Sequence, residues 1–214
     1  MTDIYKWLFG PKGRAALSDP PSVLWDLPDE LAGHRAAIAA TERPIVAMAS
    51  VEAAPERPQS SQLGGLPWWP AGVRYPTAAD GRTPLHLLLQ LDLADVPNVG
   101  LLPNVGLLQF FIAADETYGC DFAHEGRAPG FRCVYHHDLA RKAAELDPHV
   151  LLGPECSPLD APLAARSLLF STATMAVDPT DYRFPKLLPA IFEDPELLES
   201  YALWHASVPM RLGS

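Results

Sequence analysis

Between residues 85 and 93 the chain reads LHLLLQLDL, with leucine at every second position. That alternation predicts a strand, because successive side chains on a strand point to opposite faces. Leu85, Leu87, Leu89, Leu91 and Leu93 would share one face, and His86, Leu88, Gln90 and Asp92 the other. A polar line of this kind faces solvent or floors a cleft. Residues 106–113, GLLQFFIA, predict a second strand with Leu108, Phe110 and Ile112 on one side and Leu107, Gln109 and Phe111 on the other. Further strands are predicted at 45–51, 131–136 and 167–177.

Helical periodicity marks the two ends. Pro28 followed by Asp29 and Glu30 suits the first turn of a helix, since proline lacks a donor that is unpaired there and carboxylates favour the positive end of the dipole. This helix should run over 27–41 with Leu31 and Ile38 inward. A short helix is expected at 139–146. A last helix starts at Asp194, an N-cap followed by Pro195, and carries Leu197, Tyr201 and Trp204 as its apolar stripe. The hexapeptide PNVGLL occurs at 97–102 and again at 103–108. Two copies are too few for a solenoid, so the first reads as a turn-rich insertion and the second as the lead into a strand. Strands in the middle with helices at both ends give an α+β fold with a mostly antiparallel sheet, flanked by short helices and proline-rich loops. The expected organisation is one domain over 1–214, with 1–26 an N-terminal extension and the core from about 27.

Composition narrows the functions. There are 23 prolines in 214 residues, about twice the ordinary usage of roughly 5%, which argues for short elements and shaped loops. Sixteen basic against 26 acidic residues leave a net charge of −10. Such a surface repels a phosphate backbone, so nucleic acid is a poor partner and a basic protein a better one. Three cysteines without a CxxC pair fit a reducing cytoplasm rather than a disulfide framework. No apolar run is long enough for a membrane span. Near the start, Ile4, Trp7 and Leu8 share a helical face, which is expected to dock onto the domain.

Four groups carry candidate chemistry. SQLGGLPWWPAGVRYP, at 61–76, concentrates Gly64, Gly65, Trp68, Trp69 and Arg74 in one stretch stiffened by Pro67 and Pro70. The glycines permit positive φ, and one tryptophan of the adjacent pair is expected inward and the other outward. The exposed one would be a partner-binding handle. His86, Gln90, Asp92 and Gln109 form the polar line, where the two glutamines would pin neighbouring loop backbone or floor a pocket. Cys120, His124, Cys133 and His136 have zinc-like spacing, but Cys133 and His136 fall on opposite faces of a strand, so no metal is expected. Asp115, Glu116 and Asp121 read as a solvated turn. No nucleophile elbow, H-E-x-x-H or phosphate-binding loop occurs, so no catalytic residue and no cofactor are assigned.

The ordered set GGLPWWP, LLLQLDL, GLLQFFI and GFRCVYH, with Asp181 to Pro185 and the helix after it, resembles the bacterial YwqG-like family over 27 to the C-terminus. The resemblance implies a fold rather than a reaction. Members of that type continue into a second GG-x-P segment and a second glutamine strand, so this chain is expected to carry the first half only. The expected function is a non-catalytic binding module of the bacterial cytoplasm. Its alternatives are an acidic inhibitor or immunity-type protein for a basic partner, and an enzyme with a cleft between the GG loop and the Gln90 strand.

Overall fold

A computed structural model of the chain describes residues 23–100, 102–122, 130–147, 159 and 164–212. The face formed by Ile4, Trp7 and Leu8 lies outside these residues. Six strands form one antiparallel sheet: β1 Arg43–Val51, β2 Gln62–Leu63, β3 His86–Asp92, β4 Leu107–Ile112, β5 Phe131–His136 and β6 Arg166–Met175. Their order across the sheet is β1-β6-β2-β3-β4-β5. The α+β expectation holds. The described chain divides into two compact units, one formed by the residues up to Met48 together with those from Phe170 onward, the other by Ala49–Leu169.

In the first unit, two 3-10 turns, Val23–Asp26 and Asp29–His34, precede the five-residue helix α1, Arg35–Ala39. The single helix expected over 27–41 therefore begins in the tighter form. Gly33 lies in that turn and is a weak helix former. Leu31 and Ile38 are nonetheless fully buried, as their spacing requires. Short helices α2, Phe184–Leu187, and α3, Pro189–Phe192, lead into α4, Pro195–Leu212. At 18 residues α4 exceeds what the proline content suggested. Its prolines sit at the first position and at 209, so the stretch between is unbroken. Asp194 Oδ1 accepts the amides of Glu196 and Leu197 at 3.0 and 3.2 Å and caps the start. Tyr201, Trp204, His205 and Val208 form the buried stripe at helical spacing. Tyr201, Trp204 and Val208 join Leu31, Ile38, Phe184, Leu188 and Ile191 in one apolar core, where each large aliphatic chain contributes about 2 kcal/mol.

The second unit is built on β2 to β5. Within it β3 pairs with β4 as Leu87↔Phe111, then Leu89↔Phe110 and Gln90↔Gln109, so the register slips between Leu87 and Leu89. Residues opposite each other in an antiparallel pair share a face. The slip therefore puts Leu85 and Leu87 on the same face as Gln90 and Asp92, and Leu89 and Leu91 on the other with His86. This corrects the expectation of a single leucine face. A β-bulge inserts one residue and inverts the alternation beyond it, and with leucine at 87, 88 and 89 either phase looks equally apolar.

No helix forms at 139–146. Ala71 N donates to Lys142 O at 2.9 Å and Ala144 N to Trp69 O at 2.7 Å, with Pro70 opposite Ala143. The segment is extended, with Ala144 and Leu146 packed inward and Ala143, Glu145 and Asp147 exposed. Pairing with a loop that needs partners outweighs the helix propensity of its Ala, Lys and Glu residues. The second hexapeptide copy leads into β4, as expected. Asn98 Oδ1 accepts Gly100 N at 2.7 Å in a turn, and Gly106 (φ 100°) opens β4. A Cβ at Gly106 would lie 2.6 Å from the Tyr135 ring.

Candidate functional site

The loop after β2 is held against β3 and β4 by glutamine side chains. Gln90 Oε1 accepts Trp68 N–H at 3.0 Å, and Gln109 Nε2 donates to Trp68 O at 2.7 Å. Trp68 is thus gripped by its own backbone amide and carbonyl. Gln109 Nε2 also donates to Gln90 Oε1 at 2.7 Å, while Gln90 Nε2 donates to Pro58 O and Ser60 O, each at 2.8 Å. Gln62 Nε2 donates to Gly64 O and Leu66 O, each at 2.9 Å. Carbonyls can only accept, so every amide has one possible orientation. Gln109 Oε1 is then the acceptor toward His136 Nε2 at 3.0 Å, which places the ring proton on Nε2.

Gly64 and Gly65 take φ of 66° and 72° and let the loop turn back over the sheet. Both tryptophans are buried, Trp68 at 2% and Trp69 at 4% exposure. The expected outward tryptophan does not exist. Adjacent side chains point apart, but here both directions lead to packed surface. The Trp69 ring meets Tyr75, Phe111 and His136 at 5.4, 5.8 and 5.0 Å, and its Nε1 donates to Val73 O at 3.0 Å. The Trp68 ring meets His136 edge-on at 5.3 Å, and its buried Nε1 has no partner among the described residues. His136 therefore stands between both indoles. Burial, with the charges of Arg141 and His137, holds its pKa below the ordinary imidazole value.

Asp92 continues the Gln90 face. Its backbone amide donates to Ser61 Oγ at 2.8 Å, and its carboxylate accepts Arg57 Nη2 at 3.2 Å. Two other candidates lie apart. His86 is buried on the opposite face of β3, with an Nδ1 that has no partner among the described residues and a pKa lowered by burial. Arg74 is exposed and donates to Gly81 O at 2.7 Å, closing a separate turn. Sequence reasoning missed Ser61, Gln62, Arg57 and the partnership of His136 with Gln109. The register of β4 and β5 carries that last signal, since Leu107↔His136 puts His136 on the Gln109 face.

Asp115 Oδ1 accepts the amides of Thr117 and Gly119, each at 2.9 Å, and these bonds, Gly119's first, hold its carboxyl below the usual range. It closes a surface turn. Cys133 pairs opposite Phe110 and His136 opposite Leu107, so they point to opposite faces. His124 lies outside the described residues. Among the described residues no three His, Cys, Asp or Glu side chains gather as metal ligands, and no helix is long and apolar enough to cross a membrane.

The sequence matches the family described as a domain of unknown function, DUF1963, over residues 61–207. The match opens at Ser61, beside the first glutamine of the network, and covers Trp68, Gln90, Gln109 and His136. No functionally curated protein matches the chain. The chain belongs to the DUF1963 family.

Proposed function

We propose that this DUF1963 chain is a non-catalytic binding module of the YwqG-like type, working in the bacterial cytoplasm. The observation that carries the reading is the saturation of its glutamine network. All amide protons of Gln62, Gln90 and Gln109 go to loop carbonyls or to each other. A catalytic group needs a free lone pair or proton for its substrate. At Gln90 and Gln109 the loop backbone sits at hydrogen-bond distance, in the space where a cleft was expected. In this reading Gly64, Gly65, Trp68, Trp69, Gln90, Asp92 and Gln109 act by shaping the unit, and Arg74 is the candidate that meets solvent. The net charge of −10 favours a basic protein partner and an inhibitor or immunity role.

The test is affinity capture from bacterial cytosol at low salt, followed by reconstitution with the purified partner. The expected result is a stoichiometric complex that weakens steeply as salt rises. Salt-insensitive binding would remove the basic partner from the reading. An enzyme reading draws on one observation, the half-buried His136 between two indoles, its pKa lowered by burial. Turnover of any partner or small substrate that disappears in His136→Gln would establish it and overturn the binding module.

A further inference from the structure

We propose that β5 is a pairing edge at which a second copy of this chain adds its own β5 antiparallel, with the two-fold axis between the two Cys133 residues. The inference goes beyond the binding reading and rests on backbone geometry. β5 ends the sheet. Leu93 N donates to Gly106 O at 2.9 Å and Ala113 N to Gly130 O at 2.7 Å. Antiparallel alternation then turns the amides of Leu108 and Phe110 toward β3, and those of Leu107, Gln109 and Phe111 toward β5. Their partners on β5 are His136, Val134 and Arg132. Phe131, Cys133 and Tyr135 therefore point both N–H and C=O away from the sheet. Among the described residues no backbone pairs with them, and only the Arg132 guanidinium reaches the Phe131 carbonyl, at 2.6 Å.

Free edges are ordinarily blunted by proline, lysine or a bulge. The β5 sequence FRCVYH has neither of those residues, and its register with β4 is unbroken. Phe131 and Tyr135 are 42% and 43% exposed and share a face with the exposed Cys133. The strand matches itself. With Cys133 opposite its copy, Phe131 faces Tyr135 as an aromatic cross-strand pair, and every outward amide finds a carbonyl. Arg132 falls opposite Val134 instead of its own copy. The strand contains no carboxylate, so the negative charge of the two chains is not concentrated at the join. The two facing Phe131–Tyr135 pairs that this register brings favour a second copy over an unrelated peptide, and the two-fold gives an isologous, closed dimer.

Light scattering on the purified chain should give the mass of a dimer at micromolar concentration. Cys133→Pro removes an outward N–H and no bond to β4, a position where an edge strand tolerates proline. It should give a folded monomer by circular dichroism. In the hydrogen-bonded pair the two Cys133 Cα atoms stand about 5.5 Å apart, within the reach of a disulfide. Diamide, which takes up the two electrons and two protons, should yield a covalent dimer that Cys133→Ser abolishes and Cys120→Ser retains. A monomeric wild type, a dimer that persists in folded Cys133→Pro, or a cross-link that survives Cys133→Ser would each overturn the proposal. Should Cys133→Pro fail to fold, the mass and the Cys133→Ser cross-link decide.

Discussion

The core around Phe184, Tyr201 and Trp204 is closed by apolar side chains, whereas the loop carrying Trp68 is closed by amides. In the first unit the buried hydroxyls serve the backbone, Tyr201 Oη donating to Val177 O at 2.7 Å and Thr41 Oγ1 accepting Val177 N at 3.1 Å. In the second, three glutamines sit under the loop and two of them, Gln90 and Gln109, are fully buried. Apolar packing is tolerant of direction, so it holds helices that meet at varied angles. An amide network tolerates only one arrangement, because any unmade bond leaves a buried polar group. The two solutions fail differently, and substitutions can separate them.

The largest effect is expected from Phe184→Ala, which opens a cavity in the apolar core and costs about 4 kcal/mol in a urea melt. Gln109→Leu keeps the volume and strips partners from Trp68 O, Gln90 Oε1 and His136 Nε2. It should cost about 3 kcal/mol, and a loss under 1 kcal/mol would show that the network contributes little. Gly65→Ala comes next. Its Cβ would lie 2.5 Å from Ala165 Cβ at a φ of 72°, and the expected loss is about 2 kcal/mol. Trp69→Phe should cost about 1 kcal/mol more than Trp68→Phe, since of the two indoles only Trp69 Nε1 has a partner among the described residues to lose. Acrylamide should quench neither indole in the wild type. The smallest effect is on pH dependence. The folded state holds His136 and His86 below 6.5, so the unfolded chain binds more protons just under that value. Stability should be full above pH 6.5 and fall as pH drops through it. His136→Gln should flatten the slope, and an unchanged slope would remove His136 as its source.

Five of the six strands were legible as apolar or alternating runs, and the last helix because Asp194 and Pro195 announce it. Four features were not. The two-residue β2, Gln62–Leu63, lies in a stretch that reads as loop. The slip at Leu88 hides inside a run of leucines, so the faces of β3 could be assigned only from its pairing with β4. The segment after β5 looks helical by composition, and only the backbone of Trp69 to Ala71 reveals that it is extended. The burial of both tryptophans depends on His136, Phe111 and Tyr75 converging from distant positions. Of the candidate site, the pinning role of Gln90 and Gln109 was readable from their place on the strands. His136 was noticed for its spacing to a cysteine and belongs instead to the glutamines.

Trp68 is held at both its N–H and its C=O by glutamines from two neighbouring strands. The loop therefore cannot lift away one bond at a time. Its release and the parting of β3 from β4 become a single event, and the lifetime of the loop is the lifetime of the sheet. A protease would find Gly64–Pro70 uncut until the whole unit opens, and the Trp68 amide would exchange its hydrogen on that slowest clock.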